Sequence, residues 1–107
     1  MQMEFVETPT FTRLVLALMD DDAYARLQAT LALRPDLGKV ISGGGGIRKM
    51  RWAGSGRGKR GGLRIVYYWQ TAEEHIWMLL VYPKSERDDL SRDQLRQLRI
   101  LVKEFLA

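Results

Sequence analysis

The residues of this sequence that could do chemistry are cations, and they are concentrated in its middle third. The 107-residue chain has a net charge of +4 and a pI near 9.7. No Asp or Glu lies between Leu37 and Ala72, whereas eight basic residues do: Lys39, Arg48, Lys49, Arg51, Arg57, Lys59, Arg60 and Arg64. This +8 segment indicates a surface that binds a polyanion, although a solvated surface that only keeps the protein soluble remains the alternative.

Several common catalytic designs need residue types that this chain lacks. Cysteine is absent, which removes disulfides, thiolate metal sites and a cysteine nucleophile. His75 is the only histidine, so a two-histidine nuclease is excluded, and a lone histidine beside a turn is predicted to be solvated or to cap the turn. Three consecutive aspartates, Asp20 to Asp22, suit a helix N-cap better than convergent metal ligands. The glycine run after Ser42 lacks the Lys-Ser/Thr of a phosphate-binding loop and is expected to be a flexible loop. From the aspartates and the glycine run together, we expect neither a metal nor a cofactor.

The chemistry that remains is built on Arg, Lys and Tyr. In metal-free RNA cleavage the ribose 2′-hydroxyl attacks the adjacent phosphate, and fixed cations stabilise the negative charge of the transition state. A lysine crowded by other cations has a lowered pKa and can act as the base, while Tyr or Lys can protonate the leaving oxygen. Trp52, Tyr68 and Tyr82 could stack on splayed bases, with ordinary core packing as the alternative.

The elements that must position these residues begin with a short strand at residues 3–7 and a helical hairpin. Thr8 and Pro9 suit the N-cap and the first residue of a helix. Apolar residues at helical spacing predict a core-facing stripe on each helix, and Pro35 ends the second one. The two stripes are Phe11, Leu14, Val15 and Leu18, then Tyr24, Leu27, Leu31 and Leu33.

Three strands and a C-terminal helix are predicted after the glycine run. The strands cover residues 47–53, 63–70 and 75–82, and the loops between them are too short for parallel crossovers. Ser91 and Gln94 form a capping box, so a helix begins at Arg92. Its apolar stripe should lie on the sheet: Leu95, Leu98, Leu101, Val102 and Phe105. The prediction is an α+β fold, a single domain over residues 1–107, with no membrane span and a cytoplasmic location.

Strand alternation predicts where Arg64 lies. Arg64, Val66 and Tyr68 share one side of the second strand. If helices cover one face of the sheet only, Arg64 lies exposed on a concave open face beside other cations, because a buried unpaired guanidinium is too costly. The alternative is an arginine paired with a helix carboxylate such as Glu104.

Three segments of the chain resemble the HigB-type branch of the RelE superfamily. They are GGGIRKMRW at residues 44–52, GKRGGLRIVYYW at 58–69 and LLVYPKSERDDL at 79–90, and the resemblance extends over about residues 5–105. It implies a small, largely antiparallel sheet with an N-terminal helical hairpin and a C-terminal helix. It also implies a toxin that cuts mRNA in the ribosomal A site, and a cognate antitoxin that we expect to carry a DNA-binding domain.

The resemblance also carries over candidate site residues. The central-strand arginine of the family falls on Arg64, its basic hairpin residues on Lys59 and Arg60, and its end-of-strand pair on Tyr82 and Lys84. The histidines that some HigB enzymes use are absent. The expected catalytic residues are therefore Arg64, Lys84, Tyr82 and Lys59, and the expected RNA-binding residues are Arg48, Lys49, Arg51, Arg57, Arg60 and Tyr68.

Two other functions remain open at the level of the sequence. A ParE-like toxin of the same superfamily would poison DNA gyrase. The presence of Arg64, Tyr82 and Lys84 argues against this function, because the ParE-like branch does not need a phosphate-cleaving cluster. A non-catalytic nucleic-acid-binding module would use the basic surface only as a scaffold.

Overall fold

The computed structural model describes residues 2–53, 62–87 and 89–106. The elements are β1 (Glu4–Glu7), α1 (Pro9–Leu18), α2 (Asp21–Leu33), β2 (Lys39–Val40), β3 (Arg48–Trp52), β4 (Leu63–Gln70), β5 (His75–Pro83) and α3 (Arg92–Leu106). The five described strands form one sheet in the order β1-β5-β4-β3-β2, so β4 is central. β1 runs parallel to β5, and the other neighbours are antiparallel. The predicted α+β class is confirmed, and β2 is an addition that the sequence pattern did not predict.

The helix boundaries follow from side chains that cap the first turns. The Thr8 hydroxyl accepts a hydrogen bond from the backbone N–H of Phe11 at 3.0 Å, and the Asp20 carboxylate caps α2 in the same way. Ser91 and Gln94 exchange the two hydrogen bonds of a capping box, at 3.0 and 3.1 Å. Each bond satisfies a backbone N–H that has no partner within its helix, so the predicted helix starts are confirmed.

The helical hairpin packs on one face of the sheet. Phe11 and Val15 of α1 and Leu27 and Leu31 of α2 are buried there, against residues that alternate along β4 and β5. Leu33 was expected to join this stripe but is 83% exposed. It is the last residue of α2, where the buried side of the helix has already ended at Leu31.

The C-terminal helix packs on the opposite face, so the expectation of helices on one face only is wrong. Val102 of α3 is buried against a second apolar cluster, which we call the α3 core: Ile47, Val66, Leu79 and Tyr82, with Leu95, Leu98 and Phe105 packed around them. The rings of Trp77 and Phe105 stack at 4.3 Å in this layer. β4 and β5 are apolar at nearly every position, the pattern of strands that are covered on both faces.

A bulge in β5 adjusts which side chains face α3. Val66 pairs with Leu80 and Tyr67 pairs with Met78, so Leu79 has no partner in the β4–β5 register. The extra residue lets both Leu79 and Leu80 contact the α3 core, although simple alternation would put them on opposite faces.

Within the described ranges, no helix has the length and apolar character that a bilayer crossing requires.

Candidate active site

Two rows of side chains, basic except for one tyrosine, cross the sheet on the face that carries α3. Arg51 of β3 lies opposite Arg64 of β4, and Arg64 lies opposite Tyr82 of β5. Lys39 of β2 lies opposite Lys49 of β3. Directly opposed residues share a face, as do alternate residues along one strand, so these five side chains lie on the same side. We call Arg51, Arg64 and Tyr82 the arginine row, and Lys39 and Lys49 the lysine row.

A cleft with a volume of about 720 Å³ lies at these rows. Five of its described lining residues are basic, and Asp89 is the only carboxylate among them. Positive side chains that converge on a concave surface raise the local potential, so the cleft attracts anions. The described lining consists of Leu37, Lys39, Lys49, Met50, Arg51, Arg64, Lys84 and Asp89.

Arg64 reaches this cleft from a buried position. Only 6% of its surface is exposed, so the expectation of an exposed arginine on an open face is wrong. The physical reason is that β4 is the central strand and that α3 packs on the same face, where Val66 is also buried. Because Arg64 lines the cleft, its positive charge contributes to an anion-attracting site.

Lys84, the residue that directly follows β5, also lines the cleft. Its backbone N–H donates to the carbonyl of Gly62 at 3.1 Å, which extends the β4–β5 ladder by one bond. Gly62 has φ +59, and a Cβ there would lie 2.5 Å from the carbonyl oxygen of Trp52. The position therefore requires glycine, and this tight approach sets where Lys84 leaves the sheet.

The connector from α2 to β2 brings Leu37 and Lys39 to the cleft. The Tyr67 hydroxyl donates to the carbonyl of Pro35 at 2.8 Å and accepts from the N–H of Gly38 at 2.7 Å. Burial raises the pKa of Tyr67, so the hydroxyl keeps the proton that it donates. A Cβ on Gly38 would lie 2.8 Å from the Tyr67 ring, so the connector approaches the tyrosine as closely as glycine allows.

Arg48 supports the same connector from the other face of the sheet. It alternates with Lys49 along β3, so it points away from the cleft, and it is not among the described lining residues. Its guanidinium donates to the carbonyls of Gly38 at 2.7 Å and Asp36 at 3.2 Å, and its Cζ lies 6.0 Å from the centre of the Trp69 ring. The structure thus places Arg48 as a support for the chain that carries Lys39.

A family model described as the RelE toxin of the RelE/RelB toxin-antitoxin system matches residues 34–107, which is more than half of the 107-residue chain. The chain belongs to the RelE toxin family. The matched region begins in the connector and contains every described residue that lines the cleft. Membership makes the chain the toxin of a toxin-antitoxin system and implies a cognate antitoxin as its partner.

The structure brings together two of the four expected catalytic residues of this RelE-family toxin. Arg64 and Lys84 both line the cleft. Tyr82 lies next to Arg64 in the arginine row but is only 4% exposed and belongs to the α3 core, where the Arg87 guanidinium lies 5.5 Å from its ring. Lys59 lies outside the described residues.

The expected RNA-binding residues also divide into groups. Lys49 and Arg51 line the cleft, whereas Tyr68 is half-buried against the α3 core. Trp52, the other candidate for base stacking, packs against the core on the helical-hairpin face. Arg57 and Arg60 lie outside the described residues.

Sequence reasoning missed Lys39 and Asp89 as members of the site. Lys39 stood in the basic segment, but only its pairing with Lys49 in β2 places it at the cleft. Asp89 lies in the segment between β5 and α3 and forms an ion pair with Lys49, 40 residues away in the chain. No local pattern relates two residues so far apart.

Other sequence candidates lie away from the cleft. The His75 Nε2 atom lies 3.0 Å from the Glu4 Oε1 atom. His75 pairs with Gln70 at one end of the β4–β5 ladder, whereas Arg64 lies near the other end. The glycine run closes the β2–β3 hairpin, in which Ile41 donates to the carbonyl of Ile47 at 2.8 Å and three glycines have positive φ. In the described part of the toxin, no three His, Asp or Glu side chains are grouped as metal ligands would be.

Proposed function

We propose that this RelE-family toxin is of the HigB type and inhibits translation by cutting mRNA in the ribosomal A site, without a metal ion. The cationic cleft at the arginine row carries the proposal. Ribosomes and mRNA place this activity in the cytoplasm.

The lining of the cleft suits the transition state of RNA cleavage. When the 2′-hydroxyl attacks the adjacent phosphorus, negative charge grows on the phosphate oxygens, and cations held in place beforehand stabilise it. Arg51 and Arg64 lie opposite each other in the strand register, so their guanidinium groups can contact one phosphate from two sides. The excess of cations over carboxylates also repels a divalent metal ion.

Lys84 is the best-placed candidate for proton transfer among the described residues. It is exposed and lines the same cleft as Arg64, so an RNA strand bound at the arginine row lies within its reach. Tyr82 and Lys59 remain the other candidates for general acid and base. In the strand register Tyr82 adjoins Arg64, which also suits a role in positioning the arginine.

The decisive experiment maps RNA 5′ ends after a brief induction of the toxin. We expect new 5′ ends inside coding regions, in phase with codons, and a rapid fall in methionine incorporation. Induction of Arg64→Ala at the same protein level is the matched control and should leave the transcripts intact.

Pulse labelling distinguishes the alternatives. If DNA synthesis or supercoiling fails first while methionine incorporation continues, the toxin acts on gyrase as a ParE-like protein does. If growth stops with neither cleaved transcripts nor a defect in DNA synthesis, the basic cleft serves binding alone.

A further inference from the structure

One member of the lysine row, Lys49, is already paired with an anion from the toxin itself. The Asp89 carboxylate contacts the Lys49 ammonium group, and both residues line the cleft. The Asp89 side chain is 70% exposed and the Lys49 side chain 28% exposed. A carboxylate that is so exposed stays hydrated and loses little when its partner is taken by another anion.

The lysine row and the arginine row are spaced as neighbouring subsites. Lys49 and Arg51 are alternate residues of β3, so their Cα atoms lie about 7 Å apart on the same face. This separation is comparable to that between successive phosphates of a nucleic-acid strand. A strand with one phosphate at Arg51 and Arg64 can therefore present the next one to Lys39 and Lys49.

We infer that Lys39 and Lys49 form a second phosphate subsite, in which Asp89 pairs with Lys49 in the free toxin and which RNA enters by displacing Asp89. The inference rests on the proposed function, because it takes RNA as the ligand of the cleft. It makes Asp89 a residue that sets the affinity for RNA and its dependence on salt.

The exchange has a measurable signature in the salt dependence of binding. Each phosphate of a single strand that a protein cation neutralises releases about 0.7 counterion. Lys49 is already neutralised by Asp89, and a displaced Asp89 takes up a cation from solution, so the exchange at Lys49 releases few ions. Asp89→Asn removes the internal competitor and should make the slope of log affinity against log salt steeper by about 0.7.

The test uses the purified full chain and a short fluorescent 2′-deoxy oligonucleotide, which cannot be cleaved because it lacks the attacking hydroxyl. Binding is measured by anisotropy over a range of salt concentrations. We expect Asp89→Asn to bind about two- to tenfold more tightly than the unchanged toxin. Asp93→Asn is the matched control, because it removes the same charge from an exposed ion pair, with Arg96, that lies outside the described cleft lining.

Further outcomes separate this inference from the proposed function. In a Lys49→Met background the gain from Asp89→Asn should shrink, because the two residues act through one contact. If Asp89→Asn tightens binding no more than Asp93→Asn, or weakens it, the subsite is refuted. The proposed function still stands in that case if Arg51→Ala abolishes binding. If neither the unchanged toxin nor Asp89→Asn binds the strand, the subsite is refuted, while the mapped RNA 5′ ends decide the proposed function separately.

Discussion

Arg64 is a charged side chain that is almost fully buried and yet lines an open cleft. Its exposed fraction of 6% means that most of the side chain is enclosed by protein. Burial restricts its rotamers and lowers the local dielectric constant, and both effects strengthen its contact with a phosphate. The same burial ties its proposed catalytic role to folding, so activity and stability must be measured together.

We expect Arg64→Ala to lose cleavage on the order of a hundredfold or more, because one preorganised donor to the transition state is removed. The free energy of unfolding should fall by about 1–3 kcal/mol, because groups that the buried side chain contacts are left without it. Arg64→Lys should recover part of the activity, since an ammonium group keeps the charge but loses the bidentate fork. Cleavage on programmed ribosomes and thermal unfolding are measured on the same preparation.

Arg13→Ala is the control for Arg64→Ala, because it removes one positive charge from an exposed position on α1, across the sheet from the cleft. It should change neither activity nor stability appreciably. Full cleavage by Arg64→Ala would make Arg64 structural and would move the centre of the site towards Lys84.

Tyr82 and Lys84 are two residues apart, but they differ sharply in burial. Tyr82 is 4% exposed in the α3 core, whereas Lys84 is exposed in the cleft. We expect Lys84→Met to lower the cleavage rate about a hundredfold or more, as the loss of a proton-transferring group does, while Tyr82→Phe retains most of the activity. Single-turnover cleavage across a range of pH checks this. The opposite ranking would assign proton transfer to Tyr82 and require it to move out of the α3 core.

At the scale of the elements, the strands and helices follow from local patterns, but their layers do not. The capping residues Thr8, Asp20 and Ser91 are legible in the sequence because each acts on its own helix. The apolar stripe of α3 predicts that one side of the helix is buried, but not which face of the sheet it covers. The continuous apolar run of β5 was the available signal for a sheet covered on both faces.

Gly62 connects the backbone of the sheet to the position of Lys84. Its φ is +59 and an alanine Cβ there would lie 2.5 Å from the Trp52 carbonyl oxygen, so Gly62→Ala should force β3 and β4 apart locally. We expect a loss of stability of more than about 1 kcal/mol and a lower cleavage rate, because the Lys84 N–H bonds to the Gly62 carbonyl. Thermal unfolding and ribosome cleavage measure the two effects.

Gly43→Ala is the matched control, because Gly43 also has a positive φ, +76, but a Cβ there meets nothing within 4 Å. It should cost only the strain of the backbone conformation and leave cleavage unchanged. Equal losses of activity in both variants would show that stability, and not the position of Lys84, governs the effect.

At the scale of the whole molecule, the sequence predicted which part of the chain is cationic but not how its charges divide. Lys49 and Arg48 are adjacent in sequence but lie on opposite faces of the sheet, because side chains alternate along a strand. Lys49 lines the cleft, whereas Arg48 contacts the connector from α2 to β2. Asp89 and Lys39 join the site through tertiary pairing with Lys49. These assignments depend on register and on contacts distant in sequence, which composition cannot report.

The cationic cleft also predicts how the cognate antitoxin acts. An uncovered surface of this charge would bind RNA indiscriminately through counterion release, so we expect the antitoxin to place acidic residues over the cleft. Acetylation of the toxin alone and in its complex, read by mass spectrometry, tests this. The cleft lysines Lys39, Lys49 and Lys84 should lose reactivity in the complex, while Lys103, exposed on the outer side of α3, serves as the internal reference. An inhibitory complex in which the cleft lysines react as in the isolated toxin, with Lys103 protected instead, would mean that the antitoxin acts from α3 without covering the cleft.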